Sequence, residues 1–400
     1  MRLALAALLL AVAPAPAGAQ LRALAPGGAG PVLVGDRFVW GAGEDALRVV
    51  SAPAAGGEAV PVGELPAGSE LAGAAGGLAA VDEDGGLFTA GPAGPFQPFG
   101  GRAVGAPPID SWIPALQVTA AGVVTLEDDR VMLRQPDGRL REVAIPPGAD
   151  PTRVAAAGDL AVAPTPEGAL TVFHVRTDME LAQISLGQFD PNTITGLAIS
   201  PEGDVAATVP VGDGDDVLLW APAGASRVRE LKRGDDYGSV AVGAGRVAFV
   251  ASDGLRDGFR AFVIDPRSRR IVFRGPPALD VSRLSFDGRT IAFALPNCLI
   301  AGSPVSRRTI PPGPCARTDL AVDSPSLRDG SVSFRVACIN APARRCRVIA
   351  RVTTRSGRLV GRLDKGVPLG RARVLSIRVK RPSARLRLTV RAVEPANGGR

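Results

Sequence analysis

Residues 198–209 read AISPEGDVAATV: a short apolar run, a polar Ser-Pro-Glu-Gly turn, and a second apolar run. Apolar runs this short, set on either side of a Gly-centred reversal, describe two strands joined by a tight turn. The phrase is not solitary. A Gly-centred turn between two apolar runs recurs at Gly35 (PVLVGDRFVW), Gly77 (LAGAAGGLAAV), Gly122 (QVTAAGVVTL), Gly158 (RVAAAGDLAVA), Gly203, Gly245 (SVAVGAGRVAFV) and Gly288 (RLSFDGRTIAFA). The steps between these glycines are 42, 45, 36, 45, 42 and 43 residues.

Such a period is the length of one four-stranded propeller blade. After each pair of runs two more short apolar runs follow, as in DVLLWAP then RVRELK after Gly203, which gives four strands to a unit and seven units. The fold class expected is all-β, a seven-bladed β-propeller over residues 26–312. AISPEGDVAATV and RLSFDGRTIAFA resemble the Ser-Pro-Asp-Gly core of WD40-like and TolB-like propeller repeats, in which a polar turn joins the innermost strand to the second. The other five units keep only the Gly and the strand pattern, and none carries the Gly-His and Trp-Asp pair of true WD40 blades. The resemblance implies a platform for binding.

Composition agrees with this reading. Gly and Pro make up 85 of the 400 residues while 46% of the chain is apolar, so turns punctuate it without disordering it. The chain opens MRLALAALLLAVAPAPAGAQ, one Arg ahead of an apolar stretch and a small-residue site at Ala17-Gly18-Ala19. This reads as a secretory signal peptide over residues 1–19. The expected location is therefore secreted, with attachment to the cell envelope as an option, and no transmembrane segment in the mature chain.

Past Cys315 the charge changes sign. Residues 316–400 hold 20 Arg and Lys against five Asp and Glu, a net of +15, which leaves −8 on residues 1–315 from the whole-chain +7. Val332, Phe334, Val336 and Cys338 alternate with polar residues, as do Leu386, Leu388, Val390 and Ala392, the period of a small antiparallel sandwich. FRVACINAPARRCRVIARVTT resembles the first hairpin of immunoglobulin-like or fibronectin-like sandwiches appended to secreted bacterial proteins, and the domain is assigned to residues 316–396. Its outward positions Arg347, Arg351, Arg378, Lys380, Arg385, Arg387 and Arg391 are expected to form one cationic surface facing an anionic envelope polymer or anionic lipid headgroups. Docking of that surface on the acidic propeller is the intramolecular alternative.

Four cysteines in an exported chain suggest two disulfides, and locality favours Cys298–Cys315 and Cys338–Cys346, the second as a bridge across a hairpin. Their spacings do not form CxxC pairs, and a single histidine, His174, rules out a multi-histidine metal centre. His174 is read as a mid-strand structural residue. No nucleophile elbow, Walker loop or dinucleotide fingerprint occurs in a suitable context, so neither cofactor nor metal is expected. The remaining constellation is acidic: turns following the anchoring glycines carry Asp45, Asp84, Asp128, Asp213, Asp215 and Asp216. On a propeller these gather at one rim, as a candidate ligand-binding edge for a cation.

The function expected is a non-enzymatic binding or scaffold protein, a monomer with a protein or an envelope polyanion as partner rather than nucleic acid. The alternative is a propeller hydrolase or lyase acting on an extracellular polymer. It would need paired carboxylates or an Arg-Tyr combination at the central channel, and Tyr237 is the single tyrosine available.

Overall fold

The computed structural model describes residues 22–25, 29–43, 45–74, 77–91, 94–102, 113–212, 214–252, 259–275, 278, 280–295, 298–303, 319–322, 325–339, 345–368, 373–379 and 386–393. Between residues 22 and 303 the strands pair into seven four-stranded antiparallel sheets, six of them simple meanders. The sheet that holds the opening phrase is representative: Gly196–Ile199, Val205–Pro210, Asp215–Ala221 and Arg229–Asp235 follow one another in order.

Its first turn explains the Ser-Pro-Glu-Gly-Asp spelling. The Ser200 amide donates to the Asp204 carbonyl at 2.8 Å, Gly203 donates back to the Ser200 carbonyl, and the buried Ser200 hydroxyl accepts from the Asp204 amide. The Asp204 carboxylate then accepts the Ala223 amide at 2.9 Å, which ties this turn to the next one on the same edge. In the last sheet Asp287 plays a comparable part, accepting from the amides of Arg289 and Thr290. All seven anchoring glycines have positive φ, from 58° at Gly35 to 153° at Gly77. At Gly122 the requirement is steric as well, because a Cβ there would run into the Arg134 carbonyl.

The second strand of each sheet is apolar on successive residues because both of its faces are covered. Seven hydrophobic clusters account for those faces, one between each neighbouring pair of sheets. Val49 and Leu78 join the first sheet to the second, Ala79 and Val123 the second to the third, Leu133 and Phe173 the third to the fourth, and Val162 and Val217 the fourth to the fifth. Leu218 and Phe249 join the fifth to the sixth, Val263 and Phe293 the sixth to the seventh, and Ala292 with Phe38 returns from the seventh to the first. The clusters thus run in a ring, a propeller-like arrangement. Ala79, Ala80, Ala161, Ala163, Ala248 and Ala292 are all buried, and small side chains here let the sheets approach closely.

Polar staples cross the same boundaries. Arg141 reaches from the third sheet to the Asp178 carboxylate and Val175 carbonyl of the fourth, and Arg153 reaches from the fourth to the Pro191 and Asn192 carbonyls. Short 3-10 turns at Pro151–Arg153 and Pro191–Thr193 lead into the fourth and fifth sheets, each capped by the preceding Asp side chain.

The seventh sheet departs from the sequence expectation. Its fourth strand is not supplied by the chain after Cys298–Gly302 but by Arg22–Ala25, which lies ahead of residue 26 and pairs antiparallel with that strand. The first and last units are thereby fastened by backbone hydrogen bonds, and repeat spacing is blind to this because the strand sits outside any repeat.

The C-terminal strands make two further sheets. Ser331–Ile339 pairs with Asp319–Val322 and Ser326–Arg328 along one side and with Arg373–Arg378 along the other. Arg345–Thr354 lies between Leu359–Pro368 and Leu386–Val393. Val332, Phe334 and Val336 from the first and Val348, Ala350 and Val352 from the second share one cluster, so the inward alternation read from the sequence is the one buried. The hairpin expectation fails: Ser331–Ile339 and Arg345–Thr354 are consecutive but belong to different sheets. The Cys338–Cys346 disulfide, with Cα atoms 6.1 Å apart, therefore links two sheets across their common core instead of two hydrogen-bonded neighbours. Cys298 is buried at the start of its strand, while Cys315 and the signal-peptide residues lie outside the described residues.

Candidate functional site

Three places on the molecule bear chemistry, and the first is the centre of the ring. The first strands of neighbouring sheets lie against one another all the way round, including the last against the first, so they encircle the axis. What these strands leave accessible is mostly small or apolar: Ala72 and Gly73, Ala156, Ala198, Ala241 and Leu284. Gln117 is committed to the backbone, donating to the Val154 carbonyl and accepting from the Ala156 amide. Glu70 and Arg283 approach each other at 3.9 Å. Tyr237, the residue an enzyme reading needs at this channel, turns away. Its ring is buried between the fifth and sixth sheets, edge-on to Phe249 at 5.5 Å between centroids, and Phe249 stacks on Phe262. Burial, with the carboxylates of Asp216, Asp235 and Glu230 nearby, pushes the phenol well above its usual range, so the hydroxyl stays protonated.

The second place is the acidic edge. Asp45, Asp84 and Asp128 occupy the turn between second and third strands of the first three sheets, and all are exposed. Asp128 and Asp129 form a two-residue reversal with φ of 46° and 59°, the mirror-image turn that suits strand twist and that Asp tolerates. Asp213 lies outside the described residues. Asp215 and Asp216 open the third strand of the fifth sheet, where Asp215 is paired in register with Asp235. Carboxylates from two different turns meet here, because Asp235 and Asp236 arrive from the fourth strand and the turn beyond it; neither was singled out from sequence, since GDDY reads as an ordinary turn. The Asp216 carboxylate accepts the Tyr237 amide at 2.6 Å. Burial raises its pKa above the ordinary value, an effect the Tyr237 hydrogen bond opposes and the neighbouring Asp236, Asp215 and Asp235 reinforce.

The chain was compared with known proteins. No family model matches it, and no curated protein does. Among solved structures, the WD40 beta propeller domain of Doa1 is similar over 72% of this chain and 97% of its own, with a TM-score of 0.48 and 10% sequence identity.

The third place is the outward face of the sheet built on Arg345–Thr354. Arg347 and Arg351 point outward from the central strand, Arg387 and Arg391 from Leu386–Val393, and Arg362 from Leu359–Pro368. The cationic surface read from the sequence is thus divided. Arg378 belongs to the other sheet, whose outward face it shares with Arg335 and the exposed Val374, and Arg385 and Lys380 lie outside the described residues. In exchange the face gains Arg362, which the alternation in its own strand does not mark because RLDKG mixes charges of both signs. Arg347 is held by a two-point contact with Asp364, at 2.9 and 2.7 Å, and that contact draws the carboxyl below its ordinary pKa. His174, read as mid-strand, ends its strand and closes the turn that follows, its Nδ1 accepting the Arg176 amide.

Among the described residues no helix is long and apolar enough to cross a membrane, and no group of three or more His, Cys, Asp or Glu is arranged to hold a metal.

Proposed function

We propose that the chain is an exported, non-enzymatic binding or scaffold protein: a seven-bladed propeller acts as the interaction platform and an immunoglobulin-like sandwich carries a cationic face toward the cell surface. The observation that supports this most is the ring's centre. Tyr237 is spent on packing between sheets, and most accessible positions of the first strands carry small Ala, Gly or Ser side chains, with Glu70 and Arg283 as an exposed charged pair, which suits a rigid hub whose turns and edges do the binding. The opposite charges of residues 1–315 and 316–400 suit a two-part tool with distinct partners for each part.

Export and catalysis are tested together. The full-length gene product should appear in the medium or the envelope fraction with its N-terminus near Gln20, as read by intact mass. The purified mature chain, incubated with neutral and anionic extracellular polysaccharides, should release no shortened product. Retention in the cytoplasm with residues 1–19 intact overturns the location, and measurable depolymerisation overturns the scaffold reading in favour of a hydrolase or lyase.

A further inference from the structure

The arginines of the C-terminal sheet are arranged around one residue. Arg351 on the central strand stands directly opposite Arg362 on one neighbour, while Arg387 and Arg391 on the other neighbour are opposite Thr353 and Ile349, two residues to either side of it and so on the same face. In an antiparallel sheet a direct neighbour is about 5 Å away and a diagonal one about 7–8 Å. Four arginines therefore stand as neighbours on one exposed face. Among the described residues the one carboxylate on this face, Asp364, is engaged with Arg347 and feels the charge of Arg362 only at longer range. Among the described residues no carboxylate pairs with Arg351, Arg362, Arg387 or Arg391.

Like charges placed directly opposite on a sheet destabilise it. A bound anion removes that cost and gains paired hydrogen bonds from each planar guanidinium. Extended sheet offers no concavity to enclose a small anion, so one phosphate ion meets only one or two of these groups. A lipid surface is also a poor match. Between the arginines lie Thr353, Thr389 and the buried Ile349, and among the described residues the accessible apolar side chains of this face, Leu359 and the half-exposed Val393, stand apart at its two ends, too few to enter a bilayer together.

We propose that this face, centred on Arg351 and formed with Arg362, Arg387 and Arg391, binds a linear polymer that carries a repeating oxyanion. This deepens the scaffold reading and rests on it by identifying what the second part of the tool holds. Arg347 contributes little while Asp364 occupies it, and Arg378 contributes nothing because it faces the other way.

The test uses the full mature chain with poly(glycerol phosphate) and polygalacturonate as probes, inorganic phosphate and mixed phosphatidylglycerol–phosphatidylcholine vesicles as the contrasting arms, and affinity measured over a range of salt. Four contacts to a flexible polyanion predict a slope of log K on log salt of about −3, at about 0.7 for each cation used. Arg351→Gln with Arg362→Gln should flatten the slope by about 1.4 and weaken low-salt binding roughly tenfold or more. Asp364→Asn frees Arg347, so it should steepen the slope by about 0.7, a gain that a damaged fold cannot mimic. Whichever of the two polymers binds tighter tells a phosphodiester source from a uronate one. No binding to either polymer at low salt overturns the proposal, as does binding that Arg351→Gln, Arg362→Gln, Arg387→Gln and Arg391→Gln together leave unchanged. Vesicle binding without polymer binding overturns it in favour of a membrane surface. Failure here with the chain exported and inactive as a depolymerase leaves the scaffold reading standing, and depolymerisation with the predicted slopes leaves only the inference standing.

Discussion

Phe249 in the ring and Phe334 in the C-terminal region are both almost fully buried, yet each is covered in a different way. Phe249 is enclosed by its own sheet and the one before it, through Leu218, Trp220 and Tyr237. No sheet of the ring owns a core; each lends one face to the sheet before and the other to the sheet after. Phe334 belongs to a single cluster that two sheets share, with the Cys338–Cys346 bridge inside it. The ring gains by repetition, since every boundary supports its neighbours and the strand Arg22–Ala25 fastens the last boundary. The C-terminal region has one small core and a covalent link between its sheets, as a unit of its size commonly needs. The surfaces diverge too, the ring acidic and the C-terminal sheets strongly basic.

The sharpest way to break this comparison is Phe249→Ala. Removing a fully buried ring from a shared boundary should cost about 3–5 kcal/mol and lower the melting of the ring by on the order of 10 °C, leaving the C-terminal transition where it was. Calorimetry that shows both transitions falling together would make the two regions one cooperative unit and end the distinction.

A smaller loss, confined to the other region, is expected from Cys338→Ala with Cys346→Ala. The short loop that the bridge closes is worth about 2–3 kcal/mol in the chain-entropy account, so the C-terminal transition alone should drop. An unchanged C-terminal melting temperature under oxidising conditions would show that the shared cluster suffices without the link.

The smallest effect concerns Asp216 and has a definite sign. A carboxyl whose folded pKa lies above its unfolded value contributes its stability at low pH and loses it as pH rises through the folded pKa. Asp216→Asn keeps an oxygen for the Tyr237 amide and removes the charge, so at neutral pH it should raise ring melting by about 1 °C, discounted because the group is only partly buried. The gain should shrink as pH falls toward the ordinary carboxylate range, and a gain that grows in acid would reverse the assignment.

Much of this architecture is legible because it repeats. The seven glycines mark positions where the backbone must adopt positive φ, and a requirement of that kind is written directly in residue type. Strand alternation in the C-terminal region is equally local, which is why Val332, Phe334 and Val336 read as inward-facing before any sheet is assigned. Register and sheet membership are not local. The strand that completes the seventh sheet comes from the start of the described chain, and the consecutive strands on either side of the disulfide part into different sheets because each takes a nearby strand on one side and a strand much further along the sequence on the other. For the same reason the sequence by itself determines that the C-terminal residues alternate and carry excess positive charge, and only the tertiary structure decides which arginines act together. Arg362 joins the face, Arg378 leaves it and Arg347 is neutralised by Asp364, since side-chain neighbours in a sheet are set by the register of hydrogen bonding between strands rather than by spacing along one.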